Sequence, residues 1–413
     1  MFNLKAYKAW QLALVPLAIL TIYIAERRFL ISSWLETLCR ARAGQDVQEV
    51  VLSRSSITDH IQAILDPNDP SGLKMSCPEP NPMHHAHLRP QEGTANVQYL
   101  FALNLRDNLP ILPRLLGSVI EAIRFLGVDN CVLSIVEGHS QDGTSQVLTA
   151  LQIGPDQRLE THFVLSSDID PLAGSHLARL ADLRNLALKP LLDNPDRYKN
   201  ATVVFLNHVA ICPDDILELV HQRAAFRADM TCAMDWDYQR RVPTFHDVYT
   251  ARGITGDLFF DASPNMGWYK AASLFWNDPQ SRQRYYAAKP VQVFSCWNGA
   301  AVFTAEPLVT QQIAFRAARD DLGECLGSET EIFCRDMWVN GYGKIAVIPS
   351  VNVGYTNYNS KRIKRERGYT AHPGRSAQPE DRIYWKPPPA KVKCMPTLGK
   401  QSWHAWNETL ERE

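Results

Sequence analysis

Between Val97 and Ile348, short continuous apolar runs alternate with segments whose apolar residues recur every three or four positions. The first kind predicts buried strands, the second amphipathic helices. Strands are expected at Val97–Leu105, Cys131–Val136, Phe163–Leu165, Ala201–Leu206, Met230–Met234, from Phe294, and at Lys344–Ile348. Helical spacing covers about 112–126, restarts at Val147-Leu148, and returns over 177–192, 213–227 and about 328–339. Pro213 and the pair Asp214-Asp215 suit the first turn of a helix, where a missing N–H is harmless and negative charge is favoured. The alternation predicts βαβ units around a mostly parallel sheet, in one α/β domain.

The flanks read differently. Ala9–Ala25 is 17 residues without a charge; as a helix it would reach ~25 Å, the short end of a membrane span. No small-residue cleavage site follows promptly, so a retained signal-anchor is expected rather than a cleaved signal. Lys and Arg counts on its two sides nearly tie and leave its orientation open. A short helix is expected at 57–65. Beyond it Pro67, Pro70, Pro78, Pro80, Pro82 and Pro90 crowd an irregular connection. Within it His84, His85 and His87 read as solvated loop, metal binding being the other use of three imidazoles. The basic run 361–367 reads as a solvated or membrane-facing surface, or as a flap over a diphosphate.

A formal net charge of −1 offers no electrostatic footprint for nucleic acid. The nine cysteines are spaced singly, without C-x-x-C. That spacing excludes zinc-ribbon and thioredoxin-like motifs and reads as buried thiols, with one or two disulfides as the alternative. Sequons at Asn200-Ala201-Thr202 and Asn407-Glu408-Thr409 would allow glycosylation.

Candidate chemistry gathers after the strands, where open α/β sheets collect ligands. Glu137 ends one apolar run, and the loop after it carries Ser140 and Asp142. It lacks the G-x-G-x-x-G and G-x-x-x-x-G-K-[ST] spacings, which argues against a dinucleotide or P-loop cradle. Asn207-His208 follow a second run. Asp235 and Asp237, at i and i+2, follow a third, where they either converge on a hard divalent cation or serve as a helix cap or satisfied turn. Glu329, Glu331 and Asp336 surround a helix start; there they would suit the dipole, hold an acceptor hydroxyl or stabilise a sugar-derived oxocarbenium ion. Trp297-Asn298-Gly299 offers a ring for the apolar face of a sugar and an amide for its hydroxyls, or else a tryptophan packed in the core.

In order, VEGHSQDGT, LRNLALKPL, FLNHVAICPDDILELV, AMDWDY, the Arg252 region, SCWNGAAVF and GSETEIFCRDMWVNGYGKIAVIPSV resemble the fungal α-1,3-mannosyltransferase family, which includes the cryptococcal mannosyltransferases and capsule-associated proteins. The resemblance spans about residues 95–358. It implies a GT-A glycosyltransferase on a type II anchor of the Golgi or another secretory membrane, with a lumenal body. GDP-mannose would be the donor, a mannose-containing glycan the acceptor, and Mn²⁺ (or Mg²⁺) the cofactor. The implied layout is a cytosolic tail (1–8), anchor (9–25), stem (26–95), catalytic domain (96–360) and C-terminal extension (361–413). Glu137, Ser140 and Asp142 would lie near the nucleotide, Arg184 and Asn185 near the diphosphate, and Arg252, Trp297 and Asn298 in the donor site. Glu329, Glu331 and Asp336 are the catalytic candidates; Asp235, Asp237, Asn207 and His208 are the metal candidates. The chain departs from the family at His208, where Asp is usual, and at Gly253, where an acidic residue more often follows the arginine. A transferase for another nucleotide sugar and a silent, glycan-binding homologue therefore stay open.

Overall fold

Four parallel strands, β3–β2–β1–β4, begin a ten-stranded sheet: β1 (Tyr99–Leu105), β2 (Cys131–Glu137), β3 (Glu160–Val164) and β4 (Thr202–Leu206). The computed structural model describes residues 50–89, 97–152, 158–170, 174–239, 241–262, 267–371 and 382–407. The expected tail and membrane anchor lie outside these residues, and among the described ones no helix is long and apolar enough to cross a membrane.

The remaining strands are β5 (Met230–Gln239), β6 (Val242–Phe245), β7 (Arg252–Gly253), β8 (Val291–Ser295), β9 (Ala300–Thr304) and β10 (Ile345–Gly354). They continue the order as β4–β9–β5–β10–β8–β7, with β6 paired to β5. The expectation of a mostly parallel sheet fails in this half. β9 inserts antiparallel between β4 and β5, and β8 lies antiparallel against β10. A separate hairpin is formed by β11 (Lys391–Thr397) and β12 (Lys400–Ala405). Because two antiparallel pairings in succession restore direction, β4 and β5 both end at one edge.

Helices of eight residues or more are α1 (Arg54–Leu65), α2 (Leu112–Leu126), α3 (Thr144–Gln152), α4 (His176–Ala187), α5 (Pro213–Ala225), α6 (Pro279–Tyr286), α7 (Glu329–Val339) and α8 (Asn357–Arg367). Side-chain alternation along the strands divides the core in two. Phe101, Leu103, Val204 and Leu206 pack under α2, α3 and α5; Leu100, Ala102, Val203 and Phe205 face the layer containing α4 and α7. Local signals end the helices: Gly127 caps α2 at φ 89°, and the Ser328 hydroxyl accepts from the Glu331 N–H at 3.1 Å to start α7.

Among the described residues three disulfides join Cys77 to Cys212, Cys232 to Cys296 and Cys325 to Cys394, and Cys131 and Cys334 are buried thiols. Single spacing concealed them, since each bridge closes between segments at least 64 residues apart. The basic run is only partly a solvated surface: Lys361 and Arg365 are exposed, while Ile363 and Lys364 are buried. It forms α8, where the Lys364 ammonium is 1% exposed and 2.5 Å from the equally buried Asp215. Arg367 lies over Trp236 at 3.9 Å and Arg362 over Tyr238 at 3.8 Å. This helix runs through the expected boundary at 360. Residues 50–413 form one compact unit, so the boundary expected at 95 also falls inside it.

Candidate active site

The carboxyl edge of β2, β1, β4 and β5 carries the site. Glu137 ends β2, Asn207 and His208 lie just beyond β4, and Asp235 and Asp237 lie in the second half of β5. Asp107, His139 and Asn298, also at or near strand ends, hold φ of 50°, 60° and 52°. Such backbone is uncommon outside glycine and tends to gather at functional sites.

Arg184, reaching from α4, organises the middle. It is 7% exposed, donates from Nε to Glu329 Oε1 at 2.9 Å and from Nη1 to Asn207 Oδ1 at 3.0 Å. Its guanidinium carbon lies 4.7 Å from the Trp297 ring centre and 5.2 Å from that of Phe205. Trp297 Nε1 donates to the same Asn207 oxygen at 3.1 Å. The amide oxygen of Asn207 thus has both lone pairs engaged, which weakens it as a metal ligand.

Beside this group, Tyr355 connects a second set. Its ring centre is 5.1 Å from that of His208 and 4.4 Å from that of His246, and its hydroxyl donates to Asp235 Oδ2 at 2.5 Å. Asp235 Oδ1 accepts the Asp247 N–H at 3.3 Å. Asp235 is fully buried; burial, and then the charge of Asp247, push its carboxyl up to about 8. His208 is exposed; desolvation, then the nearby His246 and Arg184, lower its pKa. Asp235 and half-buried Asp247 offer the one or two carboxylates of a divalent cation that completes its shell on substrate phosphates, and the exposed His208 and His246 flank them around Tyr355. The strain at Asp235 is what a nearby cation would relieve.

Several expected residues have other partners. The Glu137 carboxylate accepts from the His139 and Ser140 N–H groups at 3.1 and 2.6 Å, and Ser140 Oγ accepts from Asp107 N–H at 2.9 Å. Asp142 accepts from Thr144 N–H at 2.9 Å and from Leu109 N–H at 2.8 Å. These three tie the loops after β1 and β2 together. Asn185 clamps both backbone groups of Phe315, at 2.8 and 2.9 Å. Trp297 is 1% exposed and packed by Phe205 and Phe315, so it presents no open face to a sugar. Asn298, fully buried, donates to the Ala233 carbonyl at 2.8 Å. Arg252 is fully buried too; it donates to the carbonyls of Lys393, Val248 and Ala251 and to Glu331 at 3.3 Å.

The carboxylates around α7 separate. Glu329 joins Arg184. Glu331 lines a cavity with Arg335, Cys394 and Trp406, and burial carries its carboxyl up to about 7. Both oxygens of Asp336 accept from Arg316 at 2.8 Å, away from the Arg184 group. Asp237 accepts from Asn359 Nδ2 at 3.0 Å rather than sharing the environment of Asp235. Sequence reasoning missed His246, Asp247 and Tyr355; they sit in short non-periodic loops, and only the pairing of β6 with β5 brings Asp247 back to Asp235.

A buried arginine–glutamate pair beside Asp235 and Asp247, which have no ion-pair partner among the described residues, at the carboxyl edge of an α/β sheet, suits a transferase acting on a phosphorylated sugar. Comparison with known proteins makes the class definite: the chain is a glycosyltransferase. Residues 98–336 match the family described as cryptococcal mannosyltransferase 1, and the chain belongs to that family. It is 35% identical over 345 residues to alpha-1,3-mannosyltransferase CMT1 of Cryptococcus neoformans var. neoformans serotype D, across 78% of this chain and 73% of that protein. Likenesses to solved structures are looser. S. aureus TarS (residues 1–349) aligns with a TM-score of 0.37 at 14% identity, over 64% of each chain, so this chain spans less than two thirds of it. The mannosyltransferase PcManGT from Pyrobaculum calidifontis, solved with GDP-Man and Mn²⁺, aligns at 0.36 and 14% identity over 75% of this chain and 70% of that one.

Proposed function

We propose that this GT-A-type enzyme moves mannose from GDP-mannose to a mannose-containing glycan, forming an α-1,3 linkage with retention. The relative named above is an alpha-1,3-mannosyltransferase. The observation that carries the reading is Arg184, a nearly buried cation between Asn207 and Glu329 at the mouth of β4. There it would meet the donor diphosphate and stabilise charge on the departing nucleotide. Mn²⁺ or Mg²⁺, held by Asp235 with Asp247 and completed by the donor phosphates, would neutralise the same charge when bound. Asn207 keeps an orienting role, and Glu137, Ser140 and Asp142 shape the nucleotide loop.

Retention leaves two routes: proton acceptance by the leaving diphosphate on the same face, or a glycosyl-enzyme intermediate on a carboxylate. Glu329 is paired with Arg184, Glu331 is shifted toward its neutral form, and Asp336 is held by Arg316. None is a free carboxylate beside Arg184, which favours the same-face route, driven by positioning and charge stabilisation.

The body would face the lumen of the Golgi or another secretory compartment, behind a type II anchor. Three disulfides suit an oxidising space, and Asn200, exposed just before β4, suits glycosylation there. A donor panel tests the reading: turnover with GDP-mannose and Mn²⁺ is expected, with an α product by NMR. Turnover with UDP-galactose and none with GDP-mannose would refute the donor. His208 in place of the family's Asp supports one other reading, a silent glycan-binding homologue; nucleotide binding indifferent to metal, without turnover, would favour it.

A further inference from the structure

The segment that reads as solvated loop folds instead against α5. His85 is fully buried and His84 half-buried, in the turn leading into the short helix Ala86–Leu88. The Cys77–Cys212 bridge pins the preceding residues to the start of α5. Partners come from one stripe of that helix, Asp214, Glu218 and His221, at i, i+4 and i+7. His84 Nε2 lies 2.9 Å from Glu218 Oε2, His85 Nε2 lies 3.2 Å from Asp214 Oδ1, and His221 Nδ1 lies 2.9 Å from His87 Nε2. The ring centre of His84 is 4.6 Å from those of both His85 and His221.

Two independent observations point to a ligand. First, potential ligand atoms of His84, His85 and Glu218 all lie within 4.8 Å of one another, and among the described residues no other three of His, Cys, Asp or Glu do so. Second, His85 Nδ1 is buried without any hydrogen-bond partner. With Nε2 donating to Asp214, that nitrogen carries a lone pair and nothing to receive. A carboxylate on one imidazole nitrogen and an unsatisfied lone pair on the other form the outer half of a carboxylate–histidine–metal triad.

We propose that His84, His85 and Glu218 form a three-residue Zn²⁺ site on α5, separate from the Arg184 edge, with water completing the coordination. Imidazole nitrogens with a single carboxylate suit zinc, whereas Mn²⁺ and Mg²⁺ prefer oxygen donors. The ion would clip the segment around 81–88 to α5, giving that irregular stretch a second fastening beside the disulfide.

The test uses the full-length chain in detergent, without a polyhistidine tag, stripped with EDTA and titrated with Zn²⁺ alone. Bound metal is measured by mass spectrometry and affinity by chelator competition. One equivalent should bind, survive gel filtration in excess Mn²⁺, and raise Tm. Glu218→Gln and His84→Gln should weaken zinc binding at least tenfold, and Asp214→Asn by about 10–100-fold, the range for outer-shell partners. His84 is half-buried, so His84→Gln should fold; it keeps the test valid should Glu218→Gln misfold. Asp235→Asn should retain the zinc. Failure of the wild-type chain to bind at micromolar Zn²⁺, unaltered binding in Glu218→Gln and His84→Gln, or loss of zinc in Asp235→Asn would each overturn the proposal.

Discussion

Replacing Glu329 by Gln keeps the shape of the Arg184 pocket and removes its counter-charge. Arg184 is 7% exposed and Glu329 3%. Breaking a buried ion pair from one side costs about 3–5 kcal/mol, because the remaining charge stays desolvated. Two features reduce that here. Gln still offers an oxygen to Nε, and the Trp297 and Phe205 rings, 4.7 and 5.2 Å away, continue to stabilise the cation. A net loss of about 2–3 kcal/mol follows; at the usual unfolding entropy per residue it lowers Tm by about 3–4 °C in a unit of this size. The informative measurement adds nucleotide. If Arg184 receives the donor diphosphate, GDP with Mn²⁺ restores the missing anion, and its thermal shift should be larger in Glu329→Gln than in wild type. Arg184→Met should lose the shift altogether. Equal GDP-induced shifts in wild type and Glu329→Gln would refute the assignment, since Glu329 would then be compensating a charge that the substrate never meets.

Asp235→Asn should abolish the dependence of GDP affinity on Mn²⁺ and lower kcat at least a hundredfold; an unchanged metal titration would remove Asp235 from the cation site. Lys364→Met strands Asp215 in the core and should destabilise by about 3–5 kcal/mol in chemical denaturation, while Lys364→Met with Asp215→Asn recovers part of the loss. Burial alone would raise Glu324, but hydrogen bonds from Arg316 and the Arg319 N–H, with the charges of Arg316 and Arg335, carry it down to about 2. Its folded pKa is depressed, so its stabilising contribution is present above about pH 4.5 and is lost as pH falls toward 2. Arg316→Gln should flatten that acid limb of a Tm–pH curve; an unchanged limb would contradict the network.

The first half of the sheet was legible because β1, β2 and β4 are buried on both faces and therefore apolar throughout, while the helices between them show their period. The second half was not. β9 is as apolar as a parallel strand, and nothing local records that its neighbours β4 and β5 flank it antiparallel. Among the site residues, Arg184, Asn207, His208, Glu329 and Asp235 were visible as polar groups interrupting apolar stretches, and the fold gathers them along one edge. Asp237 shares a strand face with Asp235 by spacing, but the β5–β6 extension carries it to Asn359. Trp297 and Asn298 looked like a sugar platform because composition cannot tell an exposed ring from a packed one. His84 and Glu218 are 134 positions apart, and no local pattern announces that they meet.

The way α8 returns to the sheet decides how this protein can be shortened. A soluble version ending at residue 360, where the resemblance fades, would leave Asp215 without its ammonium and uncover the indole of Trp236 to solvent. It would also delete Cys394, stranding Cys325 as an unmatched thiol ready to cross-link neighbouring molecules. Trimming belongs at the opposite terminus, upstream of residue 50, where Leu52 is already bonded to Gln146.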